Sequence, residues 1–160
     1  MSDARTLLVI WHSRTGASEQ MAKAAASHTN ARLIRACDVS PDDLVAASAY
    51  LFICPENLAS MSGEMKEMFD VNYYAVLGKI EGRPYATIIA AGSDGAGAER
   101  QIDRIATGWR LKRVADSMIV DFSAQTPEDI LRKKSITKST ERDCQELGIS
   151  IAEGIALGVF

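Results

Sequence analysis

Apolar residues in this chain gather in short unbroken runs, separated by stretches in which they recur every three or four positions. The runs are Leu7-Leu8-Val9-Ile10-Trp11, Leu33-Ile34, Tyr50-Leu51-Phe52-Ile53-Cys54, Ala86-Thr87-Ile88-Ile89-Ala90-Ala91 and Met118-Ile119-Val120. They do not alternate with polar residues, as parallel strands covered on both faces require. Between them, Met21, Ala22, Ala25 and Ala26 share a helix face, as do Met65, Met68 and Phe69. Ala98, Ile102, Ile105, Ala106 and Trp109 repeat at helical spacing, and so do Cys144, Leu147, Gly148, Ile151 and Ile155. Ser40-Pro41-Asp42-Asp43 and Thr126-Pro127-Glu128-Asp129 each offer a capping hydroxyl, proline at the first helical position and acids in the first turn. Strand and helix alternating in this way predict right-handed crossovers and an α/β three-layer sandwich: five parallel strands with helices on both faces, in one domain over residues 1–160.

Composition narrows the partners. The 160 residues carry 18 basic and 21 acidic side chains, a net charge of −3, which argues for neither nucleic acid nor an anionic membrane as a partner. Cys37, Cys54 and Cys144 are odd in number and far apart, and the only histidines are His12 and His28, so no disulfide framework or metal site is predicted. Met1 to Thr6 shows no leader pattern and no run approaches a membrane span, which gives a cytoplasmic protein as the expectation. Arg132-Lys133-Lys134 reads as a solvated face at the end of the helix that Thr126 begins.

In an open parallel sheet, ligands gather beyond the carboxyl ends of the strands, where the strand order reverses. After the first strand, His12 to Ser18 opens directly into a helix, with hydroxyls at Ser13, Thr15 and Ser18 and a turn at Gly16. This is the chemistry of a phosphate cradle at a helix N-terminus, though an ordinary helix cap has the same residues. It is neither a Walker A loop nor a Gly-x-Gly-x-x-Gly fingerprint. After the third strand, Pro55-Glu56-Asn57-Leu58-Ala59-Ser60-Met61 forms a long loop of small and polar residues, and Ser62 stands ready to cap the next helix. After the fourth, Gly92-Ser93-Asp94-Gly95-Ala96-Gly97 lets backbone approach a ligand closely, or makes a flexible turn.

Together these loops resemble the flavodoxin-like family, within it the small FMN-dependent NAD(P)H:quinone reductases rather than the carrier flavodoxins. Ser13-x-Thr15-Gly16-x-Ser18 is similar to the family's phosphate loop, with Arg14 and Ala17 inside it. Pro55 to Asp70 resembles the loop along the flavin ring, and Gly92 to Gly97 stands where the third flavin-contacting loop belongs. The resemblance implies a sheet order of 2-1-3-4-5 and noncovalent FMN. It implies cofactor contacts from Ser13, Arg14, Thr15, Gly16, Ala17 and Ser18, from Pro55, Glu56, Asn57, Leu58, Ala59, Ser60 and Met61, and from Gly92, Ser93, Asp94, Gly95 and Gly97. NAD(P)H is the implied electron donor and a quinone-like small molecule the acceptor; the flavin carries the chemistry and no catalytic side chain is required. No aromatic clamp stands in the second or third loop, and Tyr73 and Tyr74 either reach the ring or simply pack. A ring open on one face suits a stacking substrate or a second subunit of a homo-oligomer. Two alternatives stay open: an electron-transfer protein of the flavodoxin type, and an interaction or regulatory domain that binds no flavin. A phospho-acceptor receiver is set aside, because His12-Ser13 stands where paired acids belong.

Overall fold

A computed structural model describes residues 5–160; Met1 to Ala4, part of the stretch read for a leader, lie outside the described residues. The chain runs β1 (Leu7–Trp11), α1 (Ala17–Ala25), β2 (Ala31–Arg35), α2 (Pro41–Ala46), β3 (Ala49–Asn57), β4 (Ser60–Met61) and α3 (Gly63–Val76). It continues through β5 (Pro84–Ala91), α4 (Ala96–Gly108), β6 (Lys112–Arg113), β7 (Met118–Asp121), α5 (Pro127–Leu131) and α6 (Lys138–Leu157).

Every predicted apolar run lies in a strand, and β1, β3 and β5 are buried almost throughout. The sheet order is β2-β1-β3-β5, and the place beyond β5 is shared by two short strands. β6 pairs with Pro84 and Tyr85, and β7 pairs with Ile88 to Ala91. These pairings are parallel and in the expected order; the predicted fifth strand is β7, and β6 is a further two-residue strand that no apolar run marks. Because β1 lies between β2 and β3, the direction of chain progression reverses at the β1/β3 boundary.

Side-chain alternation along the strands divides the core. Leu8, Ile10, Tyr50, Phe52 and Ile89 pack with Met65, Met68 and Phe69 of α3 and with Ile102 and Ala106 of α4. Leu7, Val9, Leu51, Ile53 and Ile88 pack on the other face with Met21 and Ala25 of α1 and with Cys144 and Ile151 of α6. Both layers follow from the helical spacings read above. Ser40 and Asp43 form a reciprocal capping box at α2, and Thr126 accepts from the Asp129 amide at α5, so both proline-marked helix starts stand where their chemistry places them.

Two local expectations change. The second loop is no irregular connection: β3 runs on to Asn57 and turns back antiparallel as β4, pairing Glu56 with Met61 and Asn57 with Ser60. Ser62 occupies the N-cap of α3, but its hydroxyl makes no capping bond because it is held elsewhere. Among the described residues no helix is long and apolar enough to cross a membrane, and no three His, Cys, Asp or Glu side chains gather in a group able to hold a metal ion.

Candidate functional site

The loop after β1 is shaped by Gly16, which sits at φ +101°, a left-handed conformation that side chains disfavour. Its amide donates to Ser13 Oγ at 3.0 Å, closing the turn immediately before α1. The first amides of a helix have no carbonyl within the helix to bond, and they carry the positive end of its dipole. Beside them Ser18 is only 1% exposed, and its hydroxyl has no partner among the described residues. A buried hydroxyl without a partner is costly unless a ligand supplies one. A helix terminus of this kind is the chemistry that can accept an anion, with the orphan Ser18 hydroxyl just behind it.

The β3–β4 hairpin is clamped to α4. Glu56 accepts from the Gly95 amide (2.9 Å) and the Ala98 amide (3.1 Å), satisfying amides at the start of α4 that its N-cap, Gly95, has no side chain to reach. Gln101 on α4 accepts from the Ser60 hydroxyl and the Met61 amide. Gly97 permits this contact, since a Cβ there would stand 2.1 Å from the Ala59 carbonyl oxygen. At the hairpin's tip, Leu58 (φ 52°) and Ala59 (φ 63°) are both left-handed, as in a type I′ turn, and Leu58 is fully exposed.

Between β7 and α6, residues 122–136 form a strap across the carboxyl end of the sheet. At one end it bonds the strand and loop after β5, Phe122 N to Ala91 O and Ala124 N to Gly92 O, both 2.8 Å. At the other it reaches the loop after β1, Lys134 N donating to Thr15 O at 2.7 Å. Gln20 of α1 latches that end: Nε2 donates to Gly16 O and Lys134 O, and Oε1 accepts from Ile136 N. Lys134 directs its ammonium to the carbonyls of Asp129, Ile130 and Arg132, each at 2.9 Å, closing the end of α5. The basic run is therefore not wholly a solvated face; Lys134 is half-buried against the site while Arg132 pairs with Glu128 and Asp129.

Hairpin, strap and the two glycine-bearing loops enclose one cleft of about 630 Å³ at the strand-order reversal, within the range of small-molecule sites. Of the residues singled out in the sequence, Arg14, Thr15, Ala17, Pro55, Glu56, Asn57, Leu58, Ala59, Gly92 and Ser93 line it. Asn57 Nδ2 there is a buried donor without a partner among the described residues. Ser13, Gly16 and Ser18 shape the loop behind the wall, whereas Ser60, Met61, Gly95 and Gly97 serve the clamp on α4. Asp94 accepts from the Ala96 amide at the start of that helix. Sequence reasoning did not pick out Ala90, Ala91, Phe122, Ala124, Ile130, Leu131 and Lys134, which line the cleft as well. Phe122 thus brings an aromatic ring to a cleft in which no aromatic clamp was expected. Tyr73 stacks on Trp109 instead, 5.9 Å between centroids, and its neighbour Tyr74 is exposed; neither lines the cleft.

Beneath the two principal loops lies a polar contact in an apolar layer. His12, at the end of β1, has Nδ1 2.8 Å from Ser62 Oγ and Nε2 3.4 Å from a Glu64 carboxylate oxygen. The carboxylate assigns the proton to Nε2, so Nδ1 accepts from the Ser62 hydroxyl. Burial lowers the His12 pKa below its ordinary value; Glu64 opposes the shift, and Arg14 and Arg35 add to it. Burial pushes the Cys54 thiol up to about 12, which makes it a packing residue rather than a nucleophile.

A shallower depression of about 420 Å³ lies at the opposite end of the sheet, beside Arg5, Arg83 and Phe160. The Arg83 guanidinium there is engaged by the carbonyls of Leu44, Val45 and Ala47 and by the Tyr50 hydroxyl. It closes the end of α2 and lies far from the strand-order reversal.

No family model and no curated protein matches the chain. Solved structures do match. An archaeal flavodoxin superposes with a TM-score of 0.75 at 19% identity, covering 94% of this chain and 99% of that one. A flavodoxin described as WrbA-like, from Agrobacterium tumefaciens, gives 0.66 at 15% identity over 93% and 98%. The metal-soaked Flv1 flavodiiron core from Synechocystis sp. PCC6803 gives 0.75 at 14% identity; the match takes in 98% of this chain but 37% of that longer one. At these identities the likeness is one of architecture, and the chain has the flavodoxin-like fold.

Proposed function

We propose that this chain is an FMN-binding oxidoreductase that passes electrons from NAD(P)H to a quinone-like small molecule. One observation carries the reading: the helix terminus at α1, with the buried and unpartnered Ser18 hydroxyl behind it, adjoins a cleft walled by both loops that flank the strand-order reversal. The residues fit the cofactor. Backbone amides at the start of α1, with Thr15 and with Arg14 adding positive charge, would hold the phosphate, and Ser18, just behind the wall, would reach it only through the turn of the loop. Ala90, Ala91, Phe122 and Leu58 offer apolar surface to a flat ring, and the Asn57 amide offers a donor to its polar edge. When bound, FMN supplies acceptance of hydride from a nicotinamide and its delivery to an acceptor.

The protein's own contribution is then binding and orientation. The clamp of Glu56 and Gln101 on α4 holds the hairpin rigid, and the Gln20 latch holds the strap beside the phosphate loop. No acid or base of the chain is assigned a step. The mild charge of −3 suits a small acceptor better than a basic redox partner.

A carrier of the flavodoxin type is the second reading, favoured by the flavodoxins among the similar structures. The test separates the two: purified protein is mixed with NADPH or NADH and a quinone, and nicotinamide absorbance is followed. Catalytic consumption at many turnovers supports the oxidoreductase; a flavin-loaded protein that leaves the nicotinamide unconsumed supports the carrier.

A further inference from the structure

His12 is only 8% exposed, and the proposed function assigns it no part. It stands at a junction. It follows β1 directly, ahead of the loop that leads into α1, and its amide donates to Ile53 O of β3. Its Nδ1 accepts from Ser62 Oγ at 2.8 Å, and the Ser62 amide in turn donates to the carbonyl of Pro55, a residue of the cleft wall. We infer that His12 is the counter-ion of the cleft: an anion seated at the start of α1 draws a proton from solvent onto Nδ1, so that the chain binds phosphate and proton together. The inference rests on the flavin reading above for the identity of the anion, and it adds a residue that governs how tightly the anion is held.

The groups around the imidazole support it. Burial opposes a charge on the ring most strongly, whereas Glu64 of α3, 3.4 Å from Nε2, favours one. Arg14 of the loop and Arg35 at the end of β2 oppose it, and Arg35 is held over the Trp11 ring. The Cys54 thiol of β3, reached through Ser62, is neutral, since burial pushes its pKa up to about 12. One of these groups also belongs to the cleft: Arg14 lines it and has no acidic partner among the described residues. An anion paired with Arg14 cancels a positive charge that keeps His12 neutral, and any further negative charge on it attracts the proton directly. The hydrogen bonds adapt by the turn of one hydroxyl. With Nδ1 protonated, Ser62 Oγ accepts from it and directs its own hydrogen to the Cys54 sulfur.

The chain holds two histidines, which makes the test direct. Imidazole nitrogen shifts of the native protein are followed by NMR from about pH 8 to about pH 4.5, alone and with saturating FMN, riboflavin or inorganic phosphate. FMN and phosphate should raise the His12 pKa by about one unit or more, and riboflavin, which has no phosphate, should leave it in place. His28, beyond the far end of α1, gives the reference signals. Fluorescence titration adds a second readout. Both native chain and His12→Asn lose FMN affinity as the ligand's own phosphate takes up a proton near about pH 6, but the native chain should lose less, by about threefold or more between pH 7.5 and pH 5. Glu64→Gln, at a half-exposed position, should lower the His12 pKa with and without FMN and keep the difference, which guards against a His12 variant that fails to fold. A His12 pKa that bound FMN leaves in place, or that riboflavin raises as far as FMN does, overturns the inference and leaves the flavin reading intact. If FMN does not bind while inorganic phosphate still raises the His12 pKa, the flavin reading falls and the inference stands. If neither binds, both fall.

Discussion

His12 Nδ1 and Ser62 Oγ lie 2.8 Å apart, joining the end of β1 to the start of α3 beneath the cleft. The Ser62 hydroxyl donates and the neutral imidazole accepts, while Nε2 faces Glu64. Protonating His12 would set a donor against that hydroxyl within an apolar layer.

A pH dependence follows. Burial depresses the His12 pKa, so the native state refuses a proton that the unfolded chain accepts. The associated stability is complete above the ordinary histidine value of about 6.5 and is lost as pH falls from there toward the native value. Urea unfolding of the native chain and of His12→Asn, each at pH 7 and pH 5, isolates the effect. The native chain should lose more stability between the two pH values than the variant; equal losses would contradict this assignment.

The clamp on α4 gives a second prediction. Glu56→Gln keeps one acceptor oxygen but loses a charge-assisted bond to α4 and should destabilise the fold by about 1–2 kcal/mol. Gly97→Ala forces a methyl group against the Ala59 carbonyl and should cost more. Thermal unfolding of both variants measures the order.

The hairpin tip predicts a gain in stability instead. Left-handed Leu58 and Ala59 each carry about 1 kcal/mol of backbone strain. Replacing the pair by Asn-Gly, which suits this turn, should stabilise the protein by about 1–2 kcal/mol, read by urea denaturation. If Leu58 serves the cleft, the same variant should bind FMN more weakly while being more stable. A purely structural tip would show the first change without the second.

The strands and both core layers were readable because buried parallel strands leave unbroken apolar runs and amphipathic helices leave a regular spacing, whereas the strand order came only from the resemblance of the three loops to the flavodoxin-like family. The loop after β1 was readable because glycine and hydroxyls mark a tight turn into a helix. The hairpin was not, since Leu58-Ala59 carries none of the glycine or asparagine that a type I′ turn normally needs. The strap escaped for a different reason. Its place depends on Gln20 reaching Lys134 and Ile136, 114 and 116 residues away, and no local pattern marks a glutamine on a helix surface as a latch. Phe122 and Ile130 came into the cleft with it.

The central claim is that the loop from Ser13 to Ser18 seats the phosphate of FMN. Fluorescence titration of the purified protein with FMN, beside Thr15→Asp, tests it most directly. The account predicts saturable binding by the native chain and a loss of several kcal/mol in the variant, whose carboxylate stands where the phosphate must lie. Equal FMN affinity in the two proteins, or no binding by the native chain, would contradict it.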